Sequence, residues 1–247
     1  MSDLSDLPRR NQPIAFNQAG FVSLLLDDGN VQSLMRKSKP YRLELGYTRT
    51  MMGFLLFQPA PRHIAMIGLG GGSIPKHCYR QLQDVRITAV EIDPAVIALR
   101  DRFYIPPDGE RFQVICGDGS AFVAQQLGTL DVLLVDGFDA GGQVPQLCTQ
   151  AFYDAAYDSL DADGVMVVNV LGADRNFDVY LDRIRHSFKG QVAVSKSEDC
   201  DNRIIFAIKG VAYQLPADML EDRAKTLSRH HQLPLRQPLG NILKSRV

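Results

Sequence analysis

Residues 63–94 read HIAMIGLGGGSIPKHCYRQLQDVRITAVEIDP, and this stretch decides the fold. The uncharged run 64–67 fits a strand buried on both faces of a parallel sheet. Gly68, Gly70, Gly71 and Gly72 follow at once, where the chain must turn. Glycine accepts positive φ and lets a ligand approach the main chain with no Cβ in the way. Ser73 suits an N-cap and Pro75 a first helical turn, which predicts a helix over 74–83 with its amides and dipole facing whatever sits above the glycines. A second apolar run, 87–90, ends in Glu91, Ile92, Asp93 and Pro94. Glu91 stands nineteen residues after Gly72, where an acid closing the second strand can accept hydrogen bonds from ribose hydroxyls. The stretch reads as a nucleoside-binding half-site.

Outward from it, strand and helix alternate. Downstream, the pattern predicts a helix over 94–103, a strand over 112–116, a helix over 120–127 and a strongly apolar strand over 130–135. An open, glycine-rich segment 137–145 follows, then a helix over 149–160, a strand over 165–170 and a helix over 177–188. The last two strands, 192–195 and 203–209, have no room for a helix between them and should form an antiparallel edge hairpin. A helix over 216–230 precedes a polar tail. Repeated strand-helix units imply an α/β fold: a doubly wound, mostly parallel, Rossmann-like sheet. Upstream, 1–13 reads as a loose arm, 21–26 and 31–35 as a hairpin around the turn 27–30, and 41–45 as a third strand. A linker helix over 45–57 ends before Pro59 and Pro61. The predicted organisation is therefore an arm at 1–13, a small β subdomain with its linker at 14–58, and a catalytic domain at 59–247.

The 247 residues, 45% hydrophobic and 22% charged, can bury one large core. A net charge of −1 gives no electrostatic case for nucleic acid or an anionic membrane. Cys78, Cys116, Cys148 and Cys200 form no CxxC pair, and read as reduced thiols. No run of eighteen apolar residues occurs and the N-terminus is acidic and polar, so a soluble, cytoplasmic chain is expected. His230 and His231 read as a solvated surface, and His63, His77 and His186 as structural; no metal site is expected.

In such a sheet the ligand lies across the carboxyl ends of the strands. Those ends carry, in order, the glycines, then Glu91 and Asp93, then Gly117, Asp118 and Gly119, then Asp136 and Asp139. Taken singly, Asp118 could serve only to cap the next helix and Asp136 only a turn. The ordered set points to a ligand.

The strings IGLGGGS (67–73), VEIDP (90–94), GDG (117–119) and DVLLVDGFD (131–139), with FYD after them, resemble the spermidine synthase family of polyamine aminopropyltransferases, on the Rossmann-like fold shared with class I methyltransferases. LLLDDGNVQS (24–33) resembles the hairpin of that family's small β-domain, so the resemblance covers roughly residues 15–210. It implies an adenosyl sulfonium donor, decarboxylated S-adenosylmethionine or S-adenosylmethionine, a small-molecule amine acceptor and a homodimer. It further implies that Glu91 holds the ribose, Asp118 and Gly119 the adenine edge, and that Gly68 and Gly70 permit close approach. Asp136 matches the catalytic carboxylate and Asp139 the second acid of a D-x-x-D motif, which binds the acceptor. Tyr47 matches a linker tyrosine and Gln32 a hairpin glutamine at the acceptor pocket.

The chemistry suits these residues. Attack beside a sulfonium needs a neutral amine, whereas an alkylamine is mostly protonated at neutral pH; a carboxylate such as Asp136 can orient the ammonium and take its proton. Three departures stand out. Gly71 replaces the acid that in the family grips the donor's ammonium, Tyr47 is followed by Thr48, Arg49 and Thr50 rather than an acid, and the gate after D-x-x-D reads Ala140, Gly141, Gly142, Gln143. Gly71 favours a methyltransferase as the alternative. A nicotinamide oxidoreductase is a third reading, since Gly68, Gly70 and Ser73 nearly satisfy G-x-G-x-x-G.

Overall fold

A computed structural model describes residues 13–25, 31–139 and 142–246. The arm at 1–12, the turn 27–30, and Ala140 and Gly141 of the gate lie outside the described residues. Three antiparallel strands come first: β1 (Ile14–Gln18), β2 (Phe21–Leu25) and β3 (Val31–Arg36). The linker is helix α1 (Gly46–Met51), running into a 3-10 turn (Met52–Leu56). Strand β4 (His63–Ile67), helix α2 (Ser73–Gln81), strand β5 (Arg86–Glu91), helix α3 (Pro94–Ala98), strand β6 (Phe112–Cys116), helix α4 (Gly119–Ala124) and strand β7 (Leu130–Val135) follow. A two-residue ribbon, β8 (Phe138–Asp139) with β9 (Gly142–Gln143), leads to helix α5 (Gln150–Ser159), strand β10 (Leu160–Val170) and helix α6 (Phe177–Ser187). Strands β11 (Val192–Lys196) and β12 (Arg203–Ile208) and helices α7 (Ala217–His231) and α8 (Arg236–Ser245) complete the order.

The main sheet has seven strands in the order β11-β12-β10-β7-β4-β5-β6. All neighbours are parallel except β12, antiparallel to both β10 and β11. This is the doubly wound sheet with an edge hairpin that the alternation predicts. Its strands read as unbroken apolar runs because both faces are covered. Side chains alternate between two cores. Ile64, Met66, Ile87, Val132, Leu134 and Val167 join the small sheet, α2, α7 and α8; Ala65, Ile67, Val90, Leu133, Val135 and Met166 join α4, α5 and α6.

Four expectations change. Residues 41–45 form turns, and the third strand of the small sheet is β1, upstream. The carbonyls of Tyr41, Leu43 and Glu44 are taken by the side chains of His77 and Arg49, so they do not enter a ladder. The N-cap of α2 is Gly72, in the left-handed region at φ 62°, with Ser73 as the first helical residue; a Cβ at Gly72 would lie 2.6 Å from Ile105. The polar tail is α8, which buries Pro238, Leu239 and Ile242. Proline and glycine inside 236–245 hide its helical period. Ser245 and Asn241 bond the edge strand β11 at Val194 N and the Ser195 hydroxyl, covering an edge that would otherwise be open to pairing. Finally, His231 is buried, only 4% exposed, and burial pushes its pKa down to about 4; the solvated reading holds for His230 alone.

Candidate active site

Strand register brings the tips of β7, β4, β5 and β6 side by side. Ile67 lies opposite both Val135 and Val90, and Glu91 opposite Cys116. Asp136 N donates to Ile67 O, Gly68 N to Val90 O and Gly117 N to Glu91 O, so each tip is pinned to its neighbour. At Gly68, with φ 90°, a Cβ would sit 2.3 Å from the Asp136 carbonyl oxygen. Only glycine lets these two tips approach so closely.

Glu91 is buried at 8% exposure. Its carboxylate accepts from Leu69 N at 2.9 Å and from Asp93 N at 3.0 Å. Each oxygen retains a lone pair, because a carboxylate has about four acceptor sites. Next to it in the chain Ile92 stands 67% exposed, an apolar side chain left in solvent. Asp118 caps α4 through Ala121 N at 2.9 Å. The capping role is therefore real, and it leaves the second carboxyl oxygen exposed on the same rim. Gly119 opens that helix where a Cβ would strike Ile67 at 2.3 Å.

Gly71 is a packing requirement. Its N–H donates to the Ser33 hydroxyl at 2.9 Å, and an added Cβ would lie 2.8 Å from both the Phe103 ring and Ser33 Cβ. No carboxylate fits at this position. Behind the loop, Lys76 of α2 is fully buried, and its Nζ donates to Phe103 O at 2.7 Å. Burial pushes this amine down to about 7.

The other side of the site forms around Asp136. Burial raises its carboxyl to about 6, against the opposing hydrogen bonds from Asn169 and Tyr47. Asn169 Nδ2 donates to Asp136 Oδ1 at 2.8 Å. Burial, followed by the Asp136 charge, raises the Tyr47 hydroxyl well above the ordinary phenol range. The same hydroxyl reaches Gln32 O at 3.4 Å, so Gln32 meets the site through its main chain. Cys200 lies close enough to Tyr47 to act on its charge. Asp139 has its backbone in the β8-β9 ribbon, and its side chain lies outside the description. Asp136, Tyr47 and Gln32 thus come together, as do Gly68, Gly70, Gly71, Glu91, Asp118 and Gly119 on the adjacent rim.

The motifs do not reveal Asn169, Asn202, Asp199 or Ser33. One signal was available for Asn169: an amide inside the apolar run VMVVNV (165–170) needs partners once buried. Among the described residues no three His, Cys, Asp or Glu side chains are placed to hold a metal. No described helix is long and apolar enough to cross a membrane.

The sheet order, the glycine turn after the first parallel strand and the acid at the tip of the second define a Rossmann-like, methyltransferase-type fold. A human methyltransferase-like protein 13 in complex with SAH superposes with TM-score 0.61 at 24% identity, over 76% of this chain and 90% of that one. A spermidine synthase in complex with the transition state analogue AdoDATO superposes with TM-score 0.69 at 21% identity, over 94% and 85%. These likenesses concern the fold. A model described as the spermine/spermidine synthase domain matches residues 44–175. The polyamine aminopropyltransferase of Neisseria meningitidis serogroup A is 36% identical over 225 residues, 90% of this chain and 86% of that protein. That of Chromobacterium violaceum is 34% identical, over 83% and 79%. The chain belongs to the spermine/spermidine synthase family.

Proposed function

We propose that this chain is an aminopropyltransferase, moving the aminopropyl group of decarboxylated S-adenosylmethionine to a polyamine-type amine. The observation that carries the reading is the half-buried Asp136 carboxylate, held by Asn169, one strand away from the glycine turn and two from Glu91. The donor supplies an electrophilic carbon next to a positively charged sulfur. Glu91 accepts from the ribose hydroxyls with its remaining lone pairs, Asp118 and the Gly119 amide take the adenine edge, and Ile92 offers the base an apolar face. Asp136 orients the acceptor ammonium and takes its proton as the nitrogen attacks; a base with a pKa near 6 is ionised at neutral pH and still close enough to accept. Tyr47 holds the charged form of Asp136, and Asp139 and Gln32 lie on the acceptor side.

A second reading, methyl transfer from S-adenosylmethionine, is favoured by one observation: Gly71 has neither a carboxylate nor room for one beside the donor's tail. One assay tests both. The protein is incubated with each donor and a panel of di- and triamines, and the adenosyl product is weighed. Methylthioadenosine with a lengthened amine supports aminopropyl transfer, whereas S-adenosylhomocysteine supports the second reading. Neither product from any pair rejects both.

A further inference from the structure

The amide that touches Asp136 is itself held from a distance. Asn169 is 2% exposed in β10, and each polar group it carries has a partner. Its Nδ2 donates to Asp136, its Oδ1 accepts from Asn202 Nδ2 at 3.0 Å, and its backbone oxygen accepts from Gln143 Nε2 at 3.3 Å. An ionised carboxylate only accepts, so Asn169 must turn its nitrogen to Asp136 and its oxygen to Asn202. The order of the chain is fixed by chemistry.

Asn202 closes the 197–202 loop between β11 and β12, and the same loop grips the opposite partner. Both carboxylate oxygens of Asp199 accept from Gly46 N, at 3.0 and 2.9 Å. Glu198 pairs with Arg49 at 2.7 Å. Gly46 and Arg49 flank Tyr47 on α1, whose hydroxyl faces Asp136. Gly172, just past β10, has no space for a Cβ because the Asp201 carbonyl would lie 2.3 Å from it. Six residues therefore tie the helix that carries Tyr47 to the strand that carries Asn169.

We propose that Asn169, braced by Asn202, is the positioning residue that aims the Asp136 carboxylate at the reacting amine, with the 197–202 loop as the clamp that sets Tyr47 against it. This rests on the transfer reading given above. Among the described side chains, the titratable groups facing Asp136 are Tyr47 from α1 and, beyond it, Cys200 from the loop.

The test compares the parent with Asn169→Ala and Asn202→Ala. Losing a charge-assisted hydrogen bond should lower kcat about tenfold or more in Asn169→Ala and severalfold in Asn202→Ala, with the donor KM unchanged. The acidic limb of the kcat profile should move to higher pH in both, because the bond from Asn169 favours the charged carboxylate. A merely structural amide would leave that limb in place. Asn169 is buried and its variant could fail to fold, so the half-buried Asn202 decides that case. An Asn202→Ala protein that folds and keeps the parent's kcat and limb overturns the proposal. If no donor and amine pair reacts with the parent, the transfer reading fails. The clamp is then read from the carboxyl 13C titration of Asp136, assigned against Asp136→Asn: a higher midpoint in Asn202→Ala supports it, and an unmoved one sinks it.

Discussion

On the rim proposed for the nucleoside, the contacts run to main chain: Glu91 accepts from Leu69 N and Asp93 N, Asp118 accepts from Ala121 N, and Gly68 lies against the Asp136 carbonyl at the neighbouring tip of β7. On the amine side Asp136 is met by Asn169, Tyr47 comes from the linker, and Asn202 and Asp199 arrive from a distant hairpin loop. The first rim is mostly main chain, shaped by glycines and capped turns. The second is a set of side chains whose arrangement depends on tertiary packing. The difference predicts that damage on the amine side falls on turnover and pH response, whereas damage at the glycine loop falls on folding and donor binding.

The largest expected effect is that of Asp136→Asn. Removing a general base costs on the order of 10²- to 10⁴-fold in kcat, while binding of an adenosyl compound, followed by calorimetry, persists. In the parent, kcat should fall as pH drops through about 6, where Asp136 takes up its proton. The stability effect has the opposite sign. The folded carboxyl binds its proton more tightly than the unfolded one, so stability from this group is present below about pH 4 and lost as pH rises through about 6. Asp136→Asn should therefore be more stable than the parent at pH 7, by roughly 2 kcal/mol after allowing for solvent access, and equal to it near pH 3. Equal turnover in the two proteins would remove Asp136 from the chemistry.

Next in size is Gly71→Asp. Forcing a side chain between Phe103 and Ser33 should destabilise the fold by roughly 3 kcal/mol and weaken donor binding. A variant that melts with the parent and binds the decarboxylated donor more tightly would show that the loop has room after all. Tyr47→Phe should follow, with kcat down about tenfold and the acidic limb moved to higher pH, since a hydrogen bond favouring the charged carboxylate is gone. The smallest effect is expected of Lys76→Met. The folded lysine releases its proton near 7 while the unfolded one holds it, so this group's destabilisation is largest at low pH and is relieved as pH rises from about 7 towards 10. The variant should melt higher at pH 7, by about 1–2 kcal/mol once the bond to Phe103 O is subtracted, with the gain gone at pH 10. Scanning calorimetry at the two pH values checks it.

The contrast between the rims also explains what the sequence makes legible. Parallel strands announce themselves as apolar runs, and their tips carry glycine and acid within a few residues, so β4 to β7 and the residues that follow them can be read directly. The partners of Asp136 have no such signature. Asn202 and Asp199 sit in a polar hairpin loop of ordinary composition, and their meaning depends on which helix the loop lands on. Helix α8 is hidden by Pro238 and Gly240, and β1 by a register that places most of its residues in solvent. Gly71 is legible only as a departure; its cause, a ring from 100–103 and a serine from β3, lies in the packing.

That interlock makes the small sheet inseparable from the nucleotide loop. Ser33 supplies both the hydroxyl that receives the Gly71 amide and the methylene that bars a side chain there. A chimaera that exchanges 14–58 for another relative's segment would thus alter the packing of the glycine loop while leaving every residue after position 58 untouched. Recombination at that boundary would have to respect Ser33, Gly71 and Phe103 as a single inherited unit.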